Sequence, residues 1–338
     1  MKGAKVLAGL GWSGSATIVN LFAQLLVMGL LARLLDPSAF GLMAMAAIAL
    51  RFASYFAELG IGQALMQKSE LSAQDASAAL VLALATGGAL YTGVALLSPF
   101  VASVFQAPGL KPLLPAVGAS LVLSPVACIP MALLRRRAQF ARASAIEVAG
   151  YVIGYGTVGV ACAWAGLGVW SLVLASLGQS LSIITLGFPF AGFKLASSGI
   201  GKSISHFWRF GSRYSVIGFL EFVTGNLDSI YIGRWLGQSA LGLYNRAQML
   251  GSLPVELVIS SGTKVLLPAL STLQHDRERL GDGFLVLLLV SALFSFPLAC
   301  GIAATHADLV EVLLGSRWKE ASPVVAVIAM AVPPARAA

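Results

Sequence analysis

Stretches of about twenty residues with scarcely a charge recur along this chain, and a soluble fold has no place for so many of them. About 20 apolar residues is the length a helix needs to cross a hydrocarbon core of roughly 30 Å. The stretches fall near residues 12–33, 41–66, 78–98, 112–134, 146–165, 169–191, 211–233, 241–268, 284–304 and 321–335. The composition agrees: 58% of the 338 residues are hydrophobic and 11% charged, where a soluble domain carries about a quarter charged residues. The expected fold is an all-α integral membrane protein of about ten transmembrane helices. The basic start "MKGAKVLAGLGW" resembles a signal peptide, but its apolar run is span-length and more spans follow, so an uncleaved first helix is expected. Turn chemistry marks the separators "LDPSAFG", "SPFVASVFQAPGLKP", "AGLG" and "GSRWKEASP".

The net charge of +8 does not form a nucleic-acid surface, because the basic residues sit in short loops between spans. They act as topology signals instead. With a cytoplasmic amino terminus, about twelve lysines and arginines fall on the inner side, Arg135, Arg136, Arg137 and Arg142 among them, against about four on the outer side. Trp12 and Trp208 then lie at inner span ends and Trp164, Trp170, Trp235 and Trp318 at outer ones, as expected of interfacial anchors. Cys128, Cys162 and Cys300 are isolated within apolar stretches and read as core residues.

An internal repeat appears at a shift of 201 residues. "RLLDPSAFGL" (Arg33 to Leu42) aligns with "RWLGQSALGL" (Arg234 to Leu243), with six of ten positions identical. Six spans separate the copies, an even number that preserves orientation, so two parallel repeats are expected. The first lobe would be a six-helix unit, residues 1–191. Residues 192–210, basic and amphipathic, would form a cytoplasmic interfacial linker, and residues 211–338 a second lobe of four helices. With four helices against six, and an ending "AMAVPPARAA", the second lobe is expected to be incomplete.

Charges inside spans are costly and tend to face a bundle interior or a wet cavity. Arg51 and Glu58 are seven residues apart, on one helix face, and Glu221 and Asp228 repeat that spacing. Arg51 suits an anionic group and the carboxylates a coupling cation; the alternative is a buried packing pair. Arg246 and Lys264 lie near span ends, where long side chains snorkel to headgroups. Glu256 is deeper and suits pairing with a basic residue. His206, His275 and His306 are isolated, so no metal or histidine base is expected, and no cofactor motif or catalytic residue emerges. Gly150, Gly154, Gly156 and Gly159 suit close helix packing and bending.

Five segments carry a family likeness: Leu30 to Gln67, "GLGVWSLV" (Gly166 to Val173), Leu227 to Val258, "KVLLPALSTLQHDRERL" (Lys264 to Leu280) and "DLVEVLLGSRWKEASPVV" (Asp308 to Val325). In this order they resemble Wzx-type lipopolysaccharide and exopolysaccharide flippases of the multidrug/oligosaccharidyl-lipid/polysaccharide exporter superfamily. The resemblance implies a two-lobed bundle in the bacterial inner membrane that moves an undecaprenyl-pyrophosphate-linked oligosaccharide outward by alternating access. Its partners would be that lipid-linked cargo, membrane lipids and other polysaccharide-assembly proteins. On this reading Arg51 leads for anion contact, with Arg246 and Lys264 behind it, and Glu58 and Asp228 take cavity or ion-coupling roles. A multidrug or cation exporter of the same superfamily and a non-transporting scaffold are the competing readings. An assembly enzyme is disfavoured by outer loops of only about 15 residues.

Overall fold

The computed structural model describes residues 22–57, 65, 72–192, 222, 224–252 and 277–337. All of its regular elements are helical, as a chain must be when the bilayer offers backbone groups no water to bond. Helix α1 is Phe22–Leu34, α2 Pro37–Ala57, α3 Ala73–Val104, α4 Leu110–Arg136, α5 Phe140–Trp164 and α6 Val169–Ala191. Helices α7 and α8 cover residues 224–235 and 237–252. After them come α9 (Arg277–Ala304), the short α10 (His306–Leu313), a 3-10 turn (Ser316–Ala321) and α11 (Ser322–Ala337). Among the described residues, five helices, α2 to α6, are long and apolar enough to cross a bilayer; Ala292–Ala304 of α9 and α10, bent by 77°, make a sixth if they are one broken span and not a re-entrant loop. The chain divides into two compact units, Met1–Leu241 and Gly242–Ala338.

Local chemistry sets the helix ends. Pro37 occupies the first position of α2, where its missing N–H is no loss. The "AGLG" turn between α5 and α6 needs left-handed backbone at Gly166 (φ 80°) and Gly168 (φ 57°), which glycine adopts without a Cβ penalty. Helix α3 opens on a reciprocal cap. The Asp75 N–H donates to Ser72 Oγ at 3.2 Å, and the Ser72 N–H donates to Asp75 Oδ2 at 2.9 Å. Ser72→Ala should cost about 1 kcal/mol, read as a lowered melting midpoint of the purified protein.

At its other end α3 runs further than the separator "SPFVASVFQAPGLKP" suggests, passing through Pro99 to Val104. A proline inside a membrane helix bends it without ending it, because neighbouring groups satisfy the freed carbonyl. Helix α4 is one span with a tightened turn at Ala119, between Leu110–Gly118 and Ser120–Arg136. Here it crosses α3 at Gly87, where an added Cβ would stand 2.6 Å from the Leu121 carbonyl oxygen. That carbonyl lies four residues before Pro125, which has no N–H to donate to it.

The core of the first unit joins α2, α3, α4 and α6 through Met45, Ala102, Leu113, Leu114, Leu121 and Val173. A second cluster, with Leu82, Ile129 and Leu133, packs α3 against α4 and the end of α6. Outside these clusters Leu96, Leu97 and Phe100 of α3 and Leu289 and Leu293 of α9 are exposed, as lipid-facing side chains are.

Both copies of the repeat end a helix on the same backbone hydrogen bond. The Leu35 N–H donates to the Leu31 carbonyl at 2.9 Å and the Leu236 N–H to the Ile232 carbonyl at 2.8 Å, 201 residues apart at each partner. In the second copy left-handed Gly237 (φ 87°) stands in the place of Asp36.

Trp164 and Trp235 are exposed at span ends, as interfacial anchors require. Trp318 departs from that expectation. It is wholly buried, because left-handed Gly315 and the 3-10 turn fold it into the second unit beside buried Val310 and Leu314. The Trp12 and Trp208 readings lie outside the described residues.

Candidate binding cavity

Helices α2, α4 and α6 of the first unit line a half-open cavity of about 320 Å³. Its polar wall comes from Ser120 and Ser124 on α4, Ser176, Gln179 and Ser180 on α6, and Arg51 and Ser54 on α2. Serines 120 and 124 are one helical turn apart, and Ser176, Gln179 and Ser180 share the i, i+3, i+4 face, so each helix turns one short polar stripe inward. Helices α4 and α6 are described end to end, and their central residues are Leu123 and Ser180. The five polar wall residues on them lie within four positions of those centres, about 6 Å along the axis. The cavity therefore sits at mid-depth of the spans, where carriers built from repeats place their substrates.

Among the described residues Arg51 is the sole charged one lining the cavity. Among the described residues no carboxylate meets its guanidinium. A positive charge at this depth that no described carboxylate meets suits an anion or water. The hydroxyls divide into two kinds. Ser176 donates to the Val173 carbonyl at 2.8 Å and Ser180 to the Ser176 carbonyl at 3.2 Å, which leaves their oxygens as acceptors. Ser120, Ser124 and the Gln179 amide make no hydrogen bond among the described residues, so they can both donate and accept. One cation with several neutral hydroxyl and amide groups is the complement of an anion carrying sugar hydroxyls.

The back of this wall is packed unusually closely. In α5, residues Val152–Gly159 form a π-helical segment, whose widened turns are common near functional sites. The Thr157 hydroxyl donates to the Ile153 carbonyl within it. Gly154 of this segment lies against α6 so tightly that a Cβ would stand 2.5 Å from the Gln179 nitrogen and 2.6 Å from the Ala175 oxygen. Gln179 thus faces the cavity with its side chain while its backbone rests on Gly154. Gly150 and Gly159 make similar approaches, whereas Gly156 has only ordinary contacts at 3.6 Å.

Of the three described residues singled out from sequence, Arg51, Asp228 and Arg246, the structure brings Arg51 alone into this cavity. Asp228 lies on α7, exposed, with Oδ1 accepting from the Ser229 N–H at 2.7 Å, and it does not line the cavity. Arg246, on α8, is half-buried with Nη1 3.6 Å from Met249 Sδ. Glu58, Glu221, Glu256 and Lys264 lie outside the described residues. Sequence reasoning missed the serines and Gln179. Their signal was uncharged polar residues at one-turn spacing in mid-span, weaker than a charge because serine is common in membrane helices.

Residues 30–323 match a family model described as polysaccharide biosynthesis protein. The chain is 27% identical over 326 residues to the lipopolysaccharide biosynthesis protein WzxC of Escherichia coli (strain K12), covering 95% of this chain and 65% of WzxC. It is 24% identical to the teichuronic acid biosynthesis protein TuaB of Bacillus subtilis (strain 168), over 96% of this chain and 68% of TuaB. To the succinoglycan biosynthesis transport protein ExoT of Rhizobium meliloti (strain 1021) it is 26% identical, over 96% of this chain and 66% of ExoT. The chain therefore spans about two thirds of the length of these relatives.

Its fold is similar to that of the lipid II flippase MurJ in an inward closed conformation, with a TM-score of 0.74 at 13% identity, covering 95% of this chain and 72% of MurJ. An inward-facing multidrug resistance MATE family transporter of the MOP superfamily gives a TM-score of 0.61 at 15% identity, covering 92% of this chain and 77% of the transporter. At such identities the likeness speaks for the fold alone. The family match, by contrast, takes in the cavity and both copies of the repeat, and this chain belongs to the polysaccharide biosynthesis protein family.

Proposed function

We propose that this chain translocates a lipid-linked oligosaccharide across the bacterial cytoplasmic membrane, the cargo being carried on undecaprenyl pyrophosphate and moved outward by alternating access. The observation that carries the reading is the cavity at mid-depth, with Arg51, which no described carboxylate meets, for a phosphoryl oxygen and hydroxyl and amide groups for sugar. At about 320 Å³ it is near the lower end of ligand pockets, roughly 300–1,000 Å³. It suits a phosphate with its adjoining sugar, not a whole oligosaccharide. The names of the relatives, polysaccharide biosynthesis proteins and one biosynthesis transport protein, support the same substrate class.

In this proposal the protein is not an enzyme. The amino terminus is cytoplasmic, and residues 1–191 and 211–338 are parallel repeats joined by an inner-surface linker. Arg246 and Lys264 are further candidates for phosphate, and Glu58, Glu221, Asp228 and Glu256 for coupling or cavity roles. The MATE-like fold raises a cation exporter as a second reading. A cation needs a carboxylate in its site, and the described cavity wall has none.

The test is complementation. In a strain deleted for its own oligosaccharide-lipid flippase, expression of this protein should restore glycolipid to the outer leaflet, measured by lectin labelling of spheroplasts. Accumulation of inner-leaflet glycolipid despite folded protein in the membrane would overturn the proposal.

A further inference from the structure

Four arginines cluster where α4 ends and α5 begins, and their charges are not equally matched. Arg135 pairs with Glu147, and Arg136 Nη1 donates to the Leu65 carbonyl at 3.1 Å. Arg137 and Arg142 meet no carboxylate among the described residues. Both converge on the C-terminal end of α6 from the two sides of the α4–α5 turn. The Arg142 guanidinium lies 5.9 Å from the centre of the Phe190 ring, and its Nη1 is 3.4 Å from Gln139 Oε1. The Arg137 guanidinium covers Gly192, with Nη1 2.6 Å from where a Cβ would sit.

Depth identifies what meets this pair. Gly192 is twelve residues beyond the centre of α6 and Arg137 fourteen beyond that of α4, or about 18 and 21 Å along the axes. Half a hydrocarbon core is about 15 Å, so the guanidiniums stand at headgroup level, clear of the cavity. Exposed Phe190 and Phe140 beside them provide apolar surface for the glycerol and first methylenes of a lipid. The last carbonyls of α6 attract Arg137, but a helix C-terminus presents only about half a negative charge, so positive charge remains over.

We propose that Arg137 and Arg142, gathered around Phe190 and Gly192, bind the headgroup phosphate of an anionic phospholipid. Guanidinium forks match phosphate oxygens bidentately, and the ring holding Arg142 fixes one fork in place. The site is separate from the cavity and does not depend on which cargo the cavity takes.

Native mass spectrometry of the whole chain, titrated with phosphatidylglycerol or phosphatidylcholine, tests this. Wild-type protein should retain phosphatidylglycerol preferentially. Binding should weaken about fivefold for each arginine removed, in Arg142→Gln and in Arg137→Gln/Arg142→Gln, while Arg142→Lys keeps part of it. Arg51→Gln should bind phosphatidylglycerol as wild type does while losing transport, which separates this inference from the functional one. Melting in phosphatidylcholine nanodiscs reports folding, and Arg142→Gln alone serves if the double variant is unstable. Equal phosphatidylglycerol binding by wild type and the folded variant would overturn the proposal. So would full competition by millimolar inorganic phosphate, or displacement by undecaprenyl pyrophosphate at far lower concentration than phosphatidylglycerol.

Discussion

Arg51→Ala should reduce oligosaccharide-lipid translocation to below about a tenth of the wild-type rate, since a charge-assisted hydrogen bond is worth about 1.5–3 kcal/mol. Arg51→Lys should keep a fraction, because an ammonium preserves the charge and loses the fork. The neutral wall contributes less: Ser124→Ala or Gln179→Ala should each cost about 0.5–1.5 kcal/mol, at most about tenfold. Stability then tells a binding residue from a packing residue. No described carboxylate matches Arg51, whose side chain is exposed on the cavity wall, so its removal breaks no ion pair among the described residues, and an arginine in mid-membrane costs about 2.5–3.5 kcal/mol on insertion scales. The Arg51→Ala protein should therefore melt at or above the wild-type midpoint while failing to transport. A lowered midpoint would mean that Arg51 is a structural partner within the bundle, the alternative that its sequence context left open.

The features legible in the sequence are those the bilayer dictates. Span length marked α3 to α6, and "AGLG" and "LDPSAFG" marked turns that the structure places at Ala165–Gly168 and next to Pro37. Both rest on hard constraints, a fixed hydrocarbon thickness and the backbone freedom of glycine or the missing N–H of proline. Arg51 was visible because a charge in mid-span is rare. The rest of the cavity was not, since Ser120, Ser124, Ser176 and Ser180 acquire meaning only when three helices bring them together. Two readings failed for the same physical reason, that local punctuation yields to tertiary packing. Pro99 sits inside α3 without ending it, and Trp318 turns into the second unit instead of reaching the headgroups. The "SAQD" box, which the sequence reading did not use, starts α3 five residues earlier than hydropathy does.

Gly154→Leu should be the most damaging single substitution in the first unit. Its Cβ would meet backbone atoms, the Gln179 nitrogen at 2.5 Å and the Ala175 oxygen at 2.6 Å, and neither can swing aside as a side chain would. Helix α5 must then move away from α6 or the π-helical segment must rewind. Overpacking of this kind costs typically about 1–3 kcal/mol and occasionally more, and a glycine contact between membrane helices has no compensating hydrophobic gain. The melting midpoint should drop clearly. Gly156→Ala, in the same segment but with its nearest neighbours at 3.6 Å, should be close to neutral. The comparison matters for function because Gln179 belongs to both surfaces, resting on Gly154 behind and lining the cavity in front. A milder Gly154→Ala that still folds should therefore displace the Gln179 amide and lower transport by more than its loss of stability explains. If transport fell only in step with the folded fraction, the π-helical segment would be a packing device, and the cavity wall would not depend on the α5 contact for its shape.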